Sequence, residues 1–260
     1  MMDANRKTRG RYTFGFNKAK TMKNVFLLLL SFTLIAPPLV AQDDTDDVRT
    51  RFGIKAAPNL SWTRSDTKGL ESDGSRLGYS VGLLAEFPIG ISGNYRFATG
   101  IFLTTIGGRT AYSYATVDTV NRPTAVVDQR TLNLRFVELP LTIKLMTNEI
   151  GYIRYYGQIG IMAGANIRAR ADYETNITTA SVTETFRDTE IDIQDDVRAI
   201  RAALVIGAGM EYNFSGQTAL LGGITYNSSI INLLEKDAFP GLEKPKLLAD
   251  YLELTLGVFF

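Results

Sequence analysis

Ten consecutive residues, Tyr251-Leu-Glu-Leu-Thr-Leu-Gly-Val-Phe-Phe260, constrain the fold of this chain more than any other segment. Leu252, Leu254, Leu256, Val258 and Phe260 recur at period two, with Tyr251, Glu253, Thr255 and Gly257 between them. That spacing belongs to an extended strand with one bulky apolar face. In water such a strand is an aggregation edge. A barrel spanning a bacterial outer membrane removes the difficulty twice, because neighbouring strands pair the edge and lipid covers the apolar face.

The same alternation recurs upstream. Eight segments read as strands: Arg51–Trp62, Leu77–Phe87, Tyr95–Ile106, Leu132–Met146, Tyr152–Arg170, Arg198–Phe214, Thr218–Ile230 and Leu247–Phe260. Long links (Thr63–Arg76, Gly107–Thr131, Ala171–Val197, Ile231–Lys246) alternate with short ones (Pro88–Asn94, Thr147–Gly151, Ser215–Gln217). The expected fold is therefore all-β: an eight-stranded antiparallel up-and-down transmembrane β-barrel with long extracellular loops and short periplasmic turns. The fourth strand loses its alternation between Phe136 and Leu139, which predicts a bulge near Val137–Glu138. Aromatic residues fall at two levels, as interfacial girdles do. Phe87, Tyr95, Tyr152, Tyr212, Phe214, Phe259 and Phe260 lie near the short turns, and Trp62, Tyr79, Tyr112, Tyr114 and Tyr173 toward the other rim.

Lys23 to Ala41 has a basic start, a short apolar run, the breakers Pro37 and Pro38, and a small final residue. This is the pattern of a secretory signal peptide rather than of a membrane helix. The expected organisation is a misassigned extension or long n-region over 1–21, a signal peptide over 22–41, an acidic leader over 42–50 and a barrel over 51–260. With 28 basic and 27 acidic side chains, the charge balance offers nothing to nucleic acid. The chain has no cysteine and no histidine, which removes disulfides, thiolate ligands and the commonest general base.

Phe136-Val-Glu-Leu-Pro-Leu-Thr-Ile-Lys-Leu145 resembles a recurrent strand of the PorT-like outer-membrane β-barrel family. The pair Val205-Ile-Gly-Ala-Gly-Met-Glu-Tyr212 and Gly223-Ile-Thr-Tyr-Asn227 does so too, and Gly53-Ile-Lys-Ala56 matches its early start. The resemblance covers roughly residues 51–260. It implies an outer-membrane barrel of about eight strands, with a link to a protein-secretion apparatus.

On this phasing the polar face carries Lys55, Arg96, Lys144, Arg154 and Arg201 with Glu86, Glu138, Glu211 and Glu253. An eight-stranded barrel is only wide enough for side chains to fill it, so these charges are expected to pair as a lumen salt-bridge network. The third long link is acidic, with Asp172, Glu174, Glu184, Asp188, Glu190, Asp192, Asp195 and Asp196 against Arg187. Of these, Asp188, Glu190, Asp192, Asp195 and Asp196 form a candidate for calcium, without EF-hand spacing. Phe260 is the expected recognition residue for barrel insertion.

The function expected is non-enzymatic and needs no cofactor: envelope structure, or docking through the acidic third loop. The partners expected are outer-membrane lipid and lipopolysaccharide, the barrel-assembly machinery, and a secretion or envelope protein, with the barrel itself monomeric. Two alternatives stand beside it: a soluble periplasmic lipocalin-like binding barrel, and a calcium-assisted outer-membrane hydrolase.

Overall fold

The computed structural model describes residues 49–91, 93–117, 122–179, 182–215, 218–235 and 245–260. The signal peptide and nearly all of the acidic leader lie outside the described residues. Nine strands follow in order: β1 (Arg51–Ser65), β2 (Leu70–Pro88), β3 (Tyr95–Val117), β4 (Pro123–Met146), β5 (Ile153–Thr179), β6 (Val182–Asp192), β7 (Ile200–Ser215), β8 (Thr218–Ser229) and β9 (Leu247–Phe259). All their pairings are antiparallel, in the order β4-β3-β2-β1-β9-β8-β7-β5-β6, and β4 also pairs with β5. The sheet therefore runs round a ring in which β9 lies between β1 and β8. This topology suits a membrane, where an unpaired backbone group costs several kcal/mol.

The strand count corrects the sequence reading, nine against eight. Much of what reads as long loop continues as strand. β3 runs on to Val117, β4 begins at Pro123 and β5 reaches Thr179, with β6 folding back beside it. Threonines at 175, 178, 179, 183, 185 and 189 supply β-branched residues for this hairpin. The register shifts between Ala171 and Tyr173, where Glu190 takes a left-handed φ of 56° and its N–H donates to Asp172 Oδ1 at 2.8 Å.

Alternation assigns the two faces. Outward residues make an exposed apolar belt, including Leu60, Leu83, Ile101, Ile143, Ile159, Ile206, Ile224 and Leu254. At the short-turn end Phe87 and Phe97 lie 6.5 Å apart, and Tyr152 and Tyr212 lie 6.2 Å apart. Toward the other rim Trp62 stacks on Tyr226 at 6.1 Å. Four aromatics leave the expected girdles: Phe259 is fully buried inside, Tyr112 and Tyr173 pack on the interior apolar cluster, and Tyr114 stacks on Tyr112 at 5.2 Å.

The expected bulge near Val137–Glu138 is also corrected. β4 keeps one phase, with Leu132, Leu134, Phe136, Glu138, Thr142, Lys144 and Met146 all buried. Its apparent break marks the level where the interior changes from polar to apolar. The register shift falls instead between Arg135 and Phe136, whose partners are Arg168 and Asn166, so Ile167 on β5 is the extra residue. Above it, Ala169 and Ala171 face inward and Arg168 is exposed.

Candidate functional site

The interior is built in three tiers. Nearest the short turns, Glu86 of β2 and Glu211 of β7 share two cations. Lys144 of β4 donates to Glu86 Oε1 at 2.6 Å and to Glu211 Oε1. Arg51 of β1 closes the square, its Nη2 standing 2.6 Å from Glu86 Oε2 and 2.8 Å from Glu211 Oε2. Aromatic faces line this square: Lys144 Nζ lies 4.1 Å from the Tyr156 ring centre, and the Arg51 guanidinium 4.6 Å from that of Phe259. Two cations against two carboxylates leave it neutral, the condition under which charge survives in a dry interior.

The middle tier holds Lys55, which donates to Glu253 Oε1 at 2.6 Å and sits 4.0 Å over the Phe102 ring. A cavity of about 50 Å³ lies here, lined in part by Tyr156, Gln158, Thr225, Asn227 and Glu253. Glu253 Oε2 and Asn227 Nδ2 are buried without a protein partner. A cavity of that size and polarity suits a few waters. In the third tier Arg201 donates to Glu138 Oε1 at 2.6 Å, Ser229 Oγ at 3.0 Å and the Ala249 carbonyl at 3.2 Å. The Tyr251 hydroxyl donates a hydrogen bond to Glu138 Oε2 at 2.9 Å.

Of the nine residues expected in one lumen network, seven thus sit in three separate groups. Arg96 is buried and donates to the Arg49 carbonyl at 3.1 Å, and Arg154 stands 3.2 Å from Glu149 at the short-turn end. Sequence reasoning missed Arg51, although it shares the parity of Lys55 on β1. It also missed the tyrosines of the network, which carry no formal charge.

Above the third tier the interior turns apolar. Leu70, Ile106, Leu132, Leu134 and Phe136 meet Ile193, Val197, Leu233 and Leu234, which come from the segments before β7 and after β8. Backbone bonds hold these segments across the mouth: Ile193 N–H to Ala169, Arg198 N–H to Leu233, Leu233 N–H to Leu247 and Glu235 N–H to Asp196. No periodicity signals this plug, because its residues come from connections rather than strands.

Asp196 lies half-buried in that plug, and loss of water raises its carboxyl above the ordinary value of 3.8, against the pull of Arg130. A carboxyl raised by folding stabilises the folded form fully below its unfolded pKa. That increment is lost as pH rises through the higher folded value. Amide protection factors of Ile193–Val197 should therefore fall across this acid window, and Asp196→Asn should flatten the change. Protection that rises with pH in the wild type would contradict this.

The far ends of β3, β4, β5 and β6 continue past the belt as a raised sheet. Its inward-facing side carries Tyr112, Tyr114, Val126, Tyr173, Ile177 and Phe186, and every residue of β6 is exposed. Among the described residues β6 pairs with β5 alone. The five carboxylates weighed for calcium do not converge. Asp188 sits on β6, Glu190 pairs with Arg170, Asp192 accepts from the Gln194 N–H at 2.9 Å, and Asp195 and Asp196 follow in the plug. No group of three or more acidic side chains placed to hold a metal occurs among the described residues. Phe260 is exposed, and its N–H donates to the Phe52 carbonyl at 2.9 Å.

A family model described as outer membrane protein beta-barrel domain matches residues 40–235. The match shows the outer-membrane β-barrel family; it does not reach the PorT-like group. No curated protein matches the chain significantly. Among solved structures, Neisserial surface protein A is 13% identical, covering 80% of this chain and 95% of that one with a TM-score of 0.38. The attachment invasion locus protein Ail of Yersinia pestis, in complex with the heparin analogue sucrose octasulfate, is 13% identical, covering 82% and 99% with a TM-score of 0.30. OprG of Pseudomonas aeruginosa is 10% identical, covering 83% and 98% with a TM-score of 0.33.

Proposed function

We propose, for a chain that belongs to the outer membrane protein beta-barrel domain family, a non-enzymatic role as a filled outer-membrane barrel that docks partners at the cell surface. The protein resides in the outer membrane. In this reading the apolar belt spans the bilayer, the short turns face the periplasm and the long connections face outward. One observation carries it. The interior is filled by three charge groups and an apolar plug, with a small polar cavity between them, while β3 to β6 rise beyond the belt and offer an open strand edge. The docking surface is that raised sheet, whose edge strand β6 carries Glu184, Asp188 and Glu190. The PorT-like resemblance supports a partner within a secretion apparatus.

The lipocalin alternative needs a bulky apolar interior and a polar exterior. Here Lys144, Glu211 and Arg201 lie inside while Leu83, Ile159 and Ile206 lie outside, which is the reverse. For a hydrolase, the lumen carboxylates Glu86, Glu138, Glu211 and Glu253 are committed to salt bridges, and no histidine is present in the chain.

The test has two arms. Reconstituted protein in planar bilayers should give no large, stable single-channel currents. Deleting the hairpin tip over residues 176–186 should leave outer-membrane assembly intact and abolish the secretion or surface-capture phenotype of a gene deletion. Steady open channels would remove the filled-barrel reading, and full complementation by the tip deletion would remove the docking reading.

A further inference from the structure

The β5 bulge at Ile167 has a chemical consequence on the outer surface. It turns Arg168 away from the interior and sets it directly opposite Arg135 of β4. Thr105 of β3 is the cross-strand partner of Arg135, and Tyr79 of β2 that of Thr105. Directly opposed residues share a face, so Tyr79, Thr105, Arg135 and Arg168 form one row across four strands. Below it the outward side chains are Val81, Leu103, Val137 and Ala165, so the row stands at the upper rim of the apolar belt.

Like charges placed directly opposite each other on a sheet repel. Among the described residues neither Arg135 nor Arg168 has an ion-pair partner. Two atoms of the row are buried and lack a hydrogen-bond partner: Arg135 Nε and Thr105 Oγ1. Thr105 itself is 8% exposed. Two guanidiniums and an unpartnered hydroxyl thus share one row at the upper rim of the apolar belt, where lipid headgroups begin. Guanidinium forks match phosphate oxygens bidentately, and basic clusters at this depth take anionic headgroups.

We infer that Thr105, Arg135 and Arg168 form a binding site for the phosphate of an outer-leaflet lipid, whose acyl chain runs down over Val137, Leu103 and Val81. Phosphate neutralises the arginine pair and accepts from Arg135 Nε and the Thr105 hydroxyl. The inference rests on the bilayer placement proposed above. It does not depend on the docking role of the raised sheet.

The test uses the full protein in a non-ionic detergent, with a phosphorylated glycolipid, the same glycolipid stripped of phosphate, and inorganic phosphate as probes. Native mass spectrometry counts retained lipid, and Trp62 fluorescence with heat-dependent gel mobility confirms folding. The wild type should retain the phosphorylated lipid at least ~10-fold better than the stripped one, the scale of a lost charge-assisted contact. Arg135→Gln and Arg168→Gln should each remove most of that preference, and Arg168→Lys should keep part of it. Equal retention of the two lipids by folded wild type would overturn the site, as would an unchanged preference in Arg135→Gln. Displacement of the lipid by stoichiometric inorganic phosphate would also overturn it, pointing to a free-phosphate site. Failure of the bilayer placement would look different: the protein would extract into buffer without detergent.

Discussion

Replacing Lys144 by methionine is expected to destabilise the barrel by about 3–5 kcal/mol, the cost of stranding a buried charge. Methionine fills the same space against Tyr156 and Phe259, so little packing is lost. What disappears is the cation shared by Glu86 and Glu211. Of the two cations bonded to them, Arg51 then remains. The second step separates charge balance from general damage. Adding Glu211→Gln to Lys144→Met leaves one Arg51–Glu86 pair and should recover more than half of the loss. Urea unfolding of the refolded protein in lipid vesicles reads both, followed by the fluorescence of Trp62, the chain's one tryptophan. If the double variant is as unstable as the single one, the square does not behave as a balanced unit.

A methyl group at Gly223 is expected to cost about 1–3 kcal/mol, the range for overpacking a filled interior. Gly223 of β8 and Gly209 of β7 are directly paired, and the Tyr156 side chain lies against both. A Cβ at Gly223 would stand 2.2 Å from the Tyr156 hydroxyl oxygen but 3.2 Å from its ring carbon Cζ. At Gly209 the same distances are 2.5 and 2.6 Å. The ring has little room to retreat, because Lys144 sits on it at 4.1 Å. Tyr156→Phe should therefore rescue most of Gly223→Ala, whose severe clash is with that oxygen, the Ala208 carbonyl standing back at 3.0 Å. It should not rescue Gly209→Ala, whose Cβ also meets the ring and, at 2.3 Å, the Gly222 carbonyl oxygen. Equal rescue of both, or of neither, would show that Tyr156 does not set the requirement for glycine.

Much of the architecture is legible in residue pattern. Alternation along β1, β7 and β9 assigns inward and outward faces correctly, because a strand has only two sides and lipid and lumen demand opposite chemistry. The pattern misleads where that simple opposition fails. Leu132, Leu134 and Phe136 are apolar yet face inward, since the loop-end half of the interior is itself an apolar core. Reading apolar as lipid-facing there creates a false break in β4. Phe259 is hidden by the same rule: it is buried against the charge square although Phe260 beside it is exposed. The Thr-rich run Asn176–Arg187 alternates as a strand does, which foretells a hairpin within the third long link, and β5 and β6 pair there.

By itself the sequence determined the kind of solvent this protein requires. Period-two apolar faces need lipid on one side, and the intervening charges need one another on the inside. Which charges meet was decided by tertiary structure alone, because partners such as Lys144 and Glu211, or Glu138 and Arg201, lie on strands far apart in the chain. The same holds for Arg135 and Arg168. A single extra residue, Ile167, inverts every side chain beyond it on β5, because a shift of one position exchanges the two faces of a strand. Alternation read along one strand places Arg168 inside with the lumen charges, and the pairing of that strand with β4 places it outside, beside a second arginine.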